Sequence, residues 1–232
     1  MEIADTDLGE VILAVVCDGM GGLAKGEVAS AVLIRDFAGW FHRQFPAMLY
    51  EGIQADILRE SWTEVILRAN TRIAAYGREQ GVSLGTTVVA ALLVNGVYYI
   101  INVGDSRTYL ISDSMLQLTR DQTVVQREVE MGRMTPEQAR VSPQRNVLLQ
   151  CVGASGTISP DFYVGEYKND QVFMLCSDGF RHVISPAEFY ERLNPTQMRT
   201  EQSMQENAVY FTELNKARNE SDNISVVLIR AC

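Results

Sequence analysis

Apolar positions along the chain change their spacing several times, and each change marks a new element. Residues 11–17, Val-Ile-Leu-Ala-Val-Val-Cys, form a continuous β-branched run that stops at Asp18-Gly19-Met20-Gly21-Gly22. A buried strand opening into a glycine-rich loop has this pattern. Ala29, Leu33, Phe37, Phe41 and Phe45 then recur every four residues, predicting an amphipathic helix to about residue 45. Ile53, Ile57, Val65, Ala69 and Ile73 predict a second helix over 52–79. Apolar runs at 88–94 and 97–101 flank Asn95-Gly96, the dipeptide of a tight hairpin. Further strands are predicted at 108–111, 115–118, 162–167, 172–176 and 224–229, and a last helix carries Met204, Ala208, Phe211 and Asn215.

Between these elements, residues of about 122–160 contain Pro136, Pro143 and Pro160, few long apolar runs and a helical piece near 123–131. That profile predicts an inserted flap. Strands and helices arriving in blocks, with a tight hairpin among them, predict an α+β fold of antiparallel sheets and helices rather than a doubly wound parallel one. One domain over 1–232 is expected, long enough to bury a core without disulfide or metal staples.

Charge narrows the partners. Lys and Arg number 20 against 29 Asp and Glu, a net charge of −9. Such a balance argues against nucleic acid or an anionic membrane as a partner, since both require clustered cations. Residues 80–104 carry no charge, but Asn95-Gly96 divides them into a hairpin rather than a membrane span. Cys17, Cys151, Cys176 and Cys232 form no C-x-x-C pair, and the N-terminus lacks a signal-peptide pattern. A reduced, cytoplasmic setting is expected.

The candidate chemistry lies in the aspartates. Asp18, Asp121, Asp178 and Asp222 each stand at or just beyond the end of a strand, or open a loop, and two are followed by glycine. A single Asp-Gly is most often an ordinary turn. Several at strand ends instead place carboxylates together at one sheet edge, where they repel unless a cation neutralises them. All-oxygen ligands point to Mg²⁺ or Mn²⁺ rather than zinc. Asp105, in Gly-Asp-Ser-Arg, is expected to fix its turn by pairing with arginine. Cys17 and Cys176, and Trp40, Phe41 and Trp62, are expected in the core.

Asp18-Gly-Met-Gly-Gly22, Gly26-Glu-Val-Ala-Ser30, Gly85-Thr-Thr87, Val103-Gly-Asp-Ser-Arg107, Leu118-Thr-Arg-Asp121, Cys176-Ser-Asp-Gly179 and Ser221-Asp-Asn223 occur in that order. The set resembles the metal-dependent type 2C serine/threonine protein phosphatases, bacterial branch. The resemblance implies a four-layer α-β-β-α sandwich with a binuclear Mn²⁺ or Mg²⁺ centre at one end. Asp18 would bridge the two ions, the Gly19 carbonyl would support the first, and Asp178 and Asp222 would hold the second. Asp121 would bind a third ion, sharing Asp178. Ser142 and Arg145 would lie at the substrate-facing turn of the flap. The implied reaction is hydrolysis of phosphoserine or phosphothreonine in proteins, a hydroxide held between the metals attacking phosphorus in line with the leaving oxygen. Substrates would be phosphoproteins of a cognate Ser/Thr kinase, in signalling. A pseudophosphatase that binds phosphoproteins without efficient turnover, and a hydrolase of small phosphoesters, are the alternatives.

Two departures accompany the resemblance. Family members begin with a strand whose arginine contacts the phosphate, whereas no arginine precedes Arg35 here. The expectation is a sequence that starts late, with an edge strand missing and a bare edge prone to self-association. Leu23 stands where many bacterial relatives have histidine. His182 is a conceivable proton donor in its place, although a satisfied histidine beside the loop is the commoner case.

Overall fold

The computed structural model describes residues 1–20 and 26–231. Leu23 and the end of the glycine-rich loop at Gly21 and Gly22 therefore lie outside the described residues, as does Cys232.

The chain opens with β1 (Glu2–Thr6), β2 (Gly9–Val16) and the two-residue β3 (Gly19–Met20). Three helices follow, α1 (Gly26–Arg43), α2 (Phe45–Glu51) and α3 (Ala55–Glu79). Next come the short β4 (Gly85–Thr86), then β5 (Val88–Val94), β6 (Val97–Val103), β7 (Arg107–Ile111) and β8 (Met115–Gln117). The segment expected as an insertion carries α4 (Val124–Glu130) and α5 (Pro136–Val141). The chain closes through β9 (Asp161–Glu166), β10 (Val172–Cys176), α6 (Asp178–Arg181), α7 (Pro186–Leu193), α8 (Glu201–Ala217) and β11 (Val226–Arg230).

Two antiparallel sheets result, one in the order β1-β2-β5-β6-β9 and the other β11-β10-β7-β8. The small β3-β4 pair stands apart from both. The strand β5 shows why the sheets stack. All seven of its residues are buried, because both its faces are covered. Val89, Ala91 and Leu93 meet Phe173, Leu175 and Ile229 of the other sheet. Val88, Ala90, Leu92 and Val94 face the opposite way, into the cluster formed by Phe37, Trp40 and Trp62 of α1 and α3. Behind the second sheet, α6, α7 and α8 contribute Phe180, Phe189 and Phe211 to a third cluster with Met174 and Cys176. The layers are thus α-β-β-α, and the fold is α+β as the pattern predicts.

Local signals behave as expected where they are strong. Asn95 (φ 48°) and Gly96 (φ 75°) both take positive φ, which a type I′ hairpin turn demands. Trp40 and Trp62 are fully buried and meet edge to face at 5.5 Å. Among the described residues no helix is long and apolar enough to cross a membrane.

Three expectations need correction. The stripe through Phe45 and the helix over 52–79 become three helices, because Pro46 sits in the first turn of a separate α2 that ends at Gly52. The bare edge expected on 11–17 is covered: Glu2–Thr6 pairs antiparallel with β2, from Glu2 opposite Leu13 to Thr6 opposite Gly9. The third concerns α6 and α7, for which no helix was expected.

The aromatic cluster gives a direct test of the layer that supports α6. Phe211 lies 4.8 Å from Phe189 and 6.2 Å from Phe180, ring centre to ring centre. We expect Phe211→Ala to lower the unfolding free energy by about 3–5 kcal/mol in urea denaturation. A loss below about 1 kcal/mol would show that the cluster is not a packing unit.

Candidate metal centre and adjoining cleft

The acidic residues are delivered by loops pinned at one end of the sandwich. Asp18 follows β2, and its backbone is held by the Gly85-Thr86-Thr87 segment. The Asp18 amide donates to Thr87 Oγ1 at 3.0 Å, while its carbonyl accepts from Thr86 Oγ1 at 2.9 Å and from the Thr87 amide at 2.8 Å. Thr87 Oγ1 in turn shares a 2.7 Å hydrogen bond with Ser106 Oγ, which ties in the Gly-Asp-Ser-Arg turn. Gly19 pairs with Thr86 in the β3-β4 bridge.

Asp178 begins the single turn of α6 directly after β10. Ser177 beside it donates from Oγ to the Asn223 carbonyl at 3.1 Å and accepts from the Ser225 amide at 3.1 Å. This bracket sets the Ser221-Asp222-Asn223 loop against Gly179. A Cβ on Gly179 would lie 2.5 Å from the Asn223 carbonyl oxygen and 3.2 Å from Asp222 Cβ, so only glycine permits the approach. Asp222 itself is exposed, with Oδ1 accepting from the Asn223 amide at 2.8 Å.

Electrostatics separates the aspartates into two groups. Asp18 is pushed up to about 8, first by burial and then by the negative charges of Asp178, Asp222 and Asp105, with Asp178 near enough to share a proton with it. Asp105 is pushed up to about 7, again mainly by burial, with Arg181 opposing. Asp121 goes the other way. Its burial would raise it, but hydrogen bonds from Arg107 and the charges of Arg181 and Arg107 hold it below the usual carboxylate range. Asp105 does pair with an arginine, but with Arg181 at 3.7 Å and not with Arg107 of its own turn, which grips Asp121.

The donor set fits divalent ions at Asp18, Asp178 and Asp222. These are hard oxygen ligands whose mutual repulsion is relieved by a cation. Among the described residues no three acidic, histidine or cysteine side chains form a closed ligand cage. Ions would be held first by the Asp18–Asp178 pair, with Asp222 alongside.

Next to the aspartates runs a cleft of about 820 Å³ between α4, α5 and α6, lined among others by Asp178, Arg181, His182, Arg140 and Arg145. The expected flap residues divide here. Arg145 lines the cleft, and its Nε is buried with no hydrogen-bond partner among the described residues. Ser142 does not line it, and instead caps α5 and accepts from the Gln144 amide at 3.2 Å. His182 is at the cleft wall, with Nδ1 2.8 Å from Glu220 Oε2. Cys176 lies in the core with its thiol pushed up to about 12 by burial, and burial also raises that of Cys17.

Sequence reasoning assigned no role to Thr86, Thr87, Ser106 or Arg181. The two threonines were visible as a Gly-Thr-Thr motif, and Arg181 follows Asp178 at a helical i, i+3 spacing.

A sequence profile described as protein phosphatase 2C matches residues 2–217, so the chain belongs to that family. It is 32% identical over 222 residues to a serine/threonine phosphatase of Listeria innocua, covering 94% of this chain and 83% of the relative. The solved serine/threonine phosphatase of S. agalactiae superposes with a TM-score of 0.86 at 25% identity, covering all of this chain and 91% of that one. The catalytic domain of the phosphatase PstP, solved with two manganese ions, superposes with a TM-score of 0.77 at 28% identity, covering 98% and 89% of the two chains.

The raised carboxylates fix a pH dependence. Between the ordinary carboxylate range and about 7–8, the unfolded chain has released these protons while the folded, metal-free chain keeps them. Folding stability therefore falls as pH rises through that window. Urea midpoints measured in chelator should drop from pH 5 to pH 8, and Asp18→Asn should flatten the slope. An unchanged slope in that variant would mean Asp18 does not carry the effect.

Proposed function

We propose that this chain is a metal-dependent serine/threonine protein phosphatase, with Asp18, Asp178 and Asp222 holding two divalent ions. The observation that carries the reading is the juxtaposition of Asp18 and Asp178, brought together by separate hydrogen-bonded brackets, with Asp18 raised by burial and by the negative charge of Asp178. Membership of the protein phosphatase 2C family supports it. Manganese is favoured over magnesium by the two manganese ions in the PstP catalytic domain.

When bound, a pair of divalent ions supplies Lewis-acid neutralisation of phosphoryl oxygens and a nucleophile at neutral pH. The chain's own residues do the positioning. Thr86 and Thr87 fix the backbone of Asp18, and Ser177 fixes Asp178 relative to Asp222. The Gly19 carbonyl, next to Asp18 at the start of β3, is assigned to support the first ion. Arg140 and Arg145 on the cleft wall favour entry of a phosphate dianion, and Arg145 is the residue we assign to substrate binding. Hydrogen bonding of His182 Nδ1 to Glu220 orients its ring at the same wall, where Nε2 can exchange a proton. Among the described residues no thiol nucleophile is at hand, because Cys17 is half-buried, Cys151 and Cys176 are buried, and desolvation raises all three thiols. The substrates are phosphorylated proteins made by a Ser/Thr kinase, in the cytoplasm. No observation favours a binding module that lacks turnover.

Hydrolysis of a phosphothreonine peptide should require Mn²⁺ and cease with chelator. Asp178→Asn should lower kcat on the order of 10²–10³-fold or more while the circular dichroism spectrum is retained. Turnover that persists in chelator, or that survives Asp178→Asn, would sink the assignment.

A further inference from the structure

Asp222 is exposed, so packing does not aim its carboxylate, and the backbone on either side has to. Downstream, Ser177 holds Asn223 and Ser225. Upstream, Glu220 does so. Its Oε1 accepts from two successive amides, that of Ser221 at 2.8 Å and that of Asp222 itself at 3.0 Å. Its Oε2 lies 2.8 Å from His182 Nδ1, and the side chain is only 6% exposed. A carboxylate withdrawn from water has to be met by donors, and here the donors are the amides of the loop and an imidazole. The Glu220 amide donates to the Asn215 carbonyl at 3.0 Å, and Asn219 before it takes φ 61°, the left-handed turn that ends a helix. The His182 amide donates to the Asp178 carbonyl at 2.9 Å and closes α6. A line of contacts thus runs from Asp178 through His182 and Glu220 to the Asp222 amide, by a route separate from Ser177.

We propose that Glu220 is a positioning residue for Asp222, fixing the loop that presents this carboxylate to a divalent ion, and that His182 locks Glu220 in place. This rests on the reading of Asp18, Asp178 and Asp222 as the metal centre. The loop is fixed because two consecutive amides point at a single oxygen only when the backbone at 221 and 222 follows one course. Rotation of that segment would leave the buried Oε1 without a donor. Groups that orient the ligands of a metal, when removed, change its affinity by about 10–100-fold. The end of α8 does not itself depend on this pair. Asn215 Nδ2 donates to the Phe180 carbonyl at 2.9 Å, and Arg218 Nη1 donates to the Val183 carbonyl at 2.7 Å. Variants at Glu220 should therefore fold.

Mn²⁺ titration of the full chain by calorimetry, with metal analysis after dialysis, tests the assignment. In Glu220→Ala the Kd of one ion should rise about 10-fold or more, while that of the other stays within about twofold of wild type. Glu220→Gln keeps an oxygen that can accept from both amides and should recover most of the affinity. His182→Ala frees Glu220 and should raise the same Kd by a smaller factor. In an Asp222→Asn background, where that ion is already weakened, Glu220→Ala should add nothing. Wild-type Kd values in Glu220→Ala would overturn the proposal and leave the metal centre standing. Equal losses in Glu220→Ala and Glu220→Gln, or a full effect of Glu220→Ala in the Asp222→Asn background, would do the same. No Mn²⁺ uptake by wild type, or wild-type affinity in Asp222→Asn, would overturn the reading of the metal centre as well. Should Glu220→Ala fail to fold, wild-type affinity in His182→Ala would overturn the proposal.

Discussion

Mutual repulsion of carboxylates at one end of the sandwich is the constraint around which the rest is arranged. The charges of Asp178, Asp222 and Asp105 add to burial in raising the proton affinity of Asp18, and that of Asp178 acts likewise on Asp105, so left free their loops would separate. They are kept together by hydrogen bonds that do not involve the carboxylates. Thr86 and Thr87 hold the Asp18 backbone, Thr87 reaches Ser106, and Ser177 bridges to Asn223 and Ser225. Hydroxyl groups suit this task because they donate and accept at once and add no charge.

Those brackets depend on the layers beneath them. Thr86 and Thr87 directly precede β5, whose seven buried residues fix it between the other sheet and the helices. The Asp178 turn is anchored by Phe180, which stacks on Phe189 at 5.4 Å and whose carbonyl accepts from the buried Asn215 amide at 2.9 Å. Each acidic loop thus leaves a strand or helix that is immobilised by packing, the arrangement a preorganised site requires.

Much of this was legible from residues alone. Continuous apolar runs and turn chemistry predict β5 and β6, because the Asn95-Gly96 hairpin is a local decision. The strand ends carrying Asp18 and Asp178 show in apolar runs that stop at Asp-Gly. By contrast β1 is half polar and its alternation is weak, so only its pairing with β2 makes it a strand. The helix α7 carried a readable signal in Ser185-Pro186-Ala187-Glu188, a capping box that the apolar periodicity did not flag. The partner of Asp105 was not legible, because Arg107, two residues away, is claimed by Asp121 once the chain returns from β8. Ser142 and Arg145 are neighbours in sequence, yet only the arginine turns to the cleft.

The sequence separation of the acidic residues has a bearing on synthesis. Asp18 and Asp222 lie about 200 residues apart, while the β5-β6 hairpin closes over a two-residue turn. Local hairpins form early on an emerging chain, whereas pairings between distant segments wait for loop closure. Cys176 faces Val226, so the Asp222 loop is seated only when β11 docks on β10. A ribosome-bound chain that ends before β11 can bury its first sheet against α1 and α3 and still have no complete acidic cluster. Assembly of the centre is then coupled to synthesis of β11, and products of translation that stop before it stay inert.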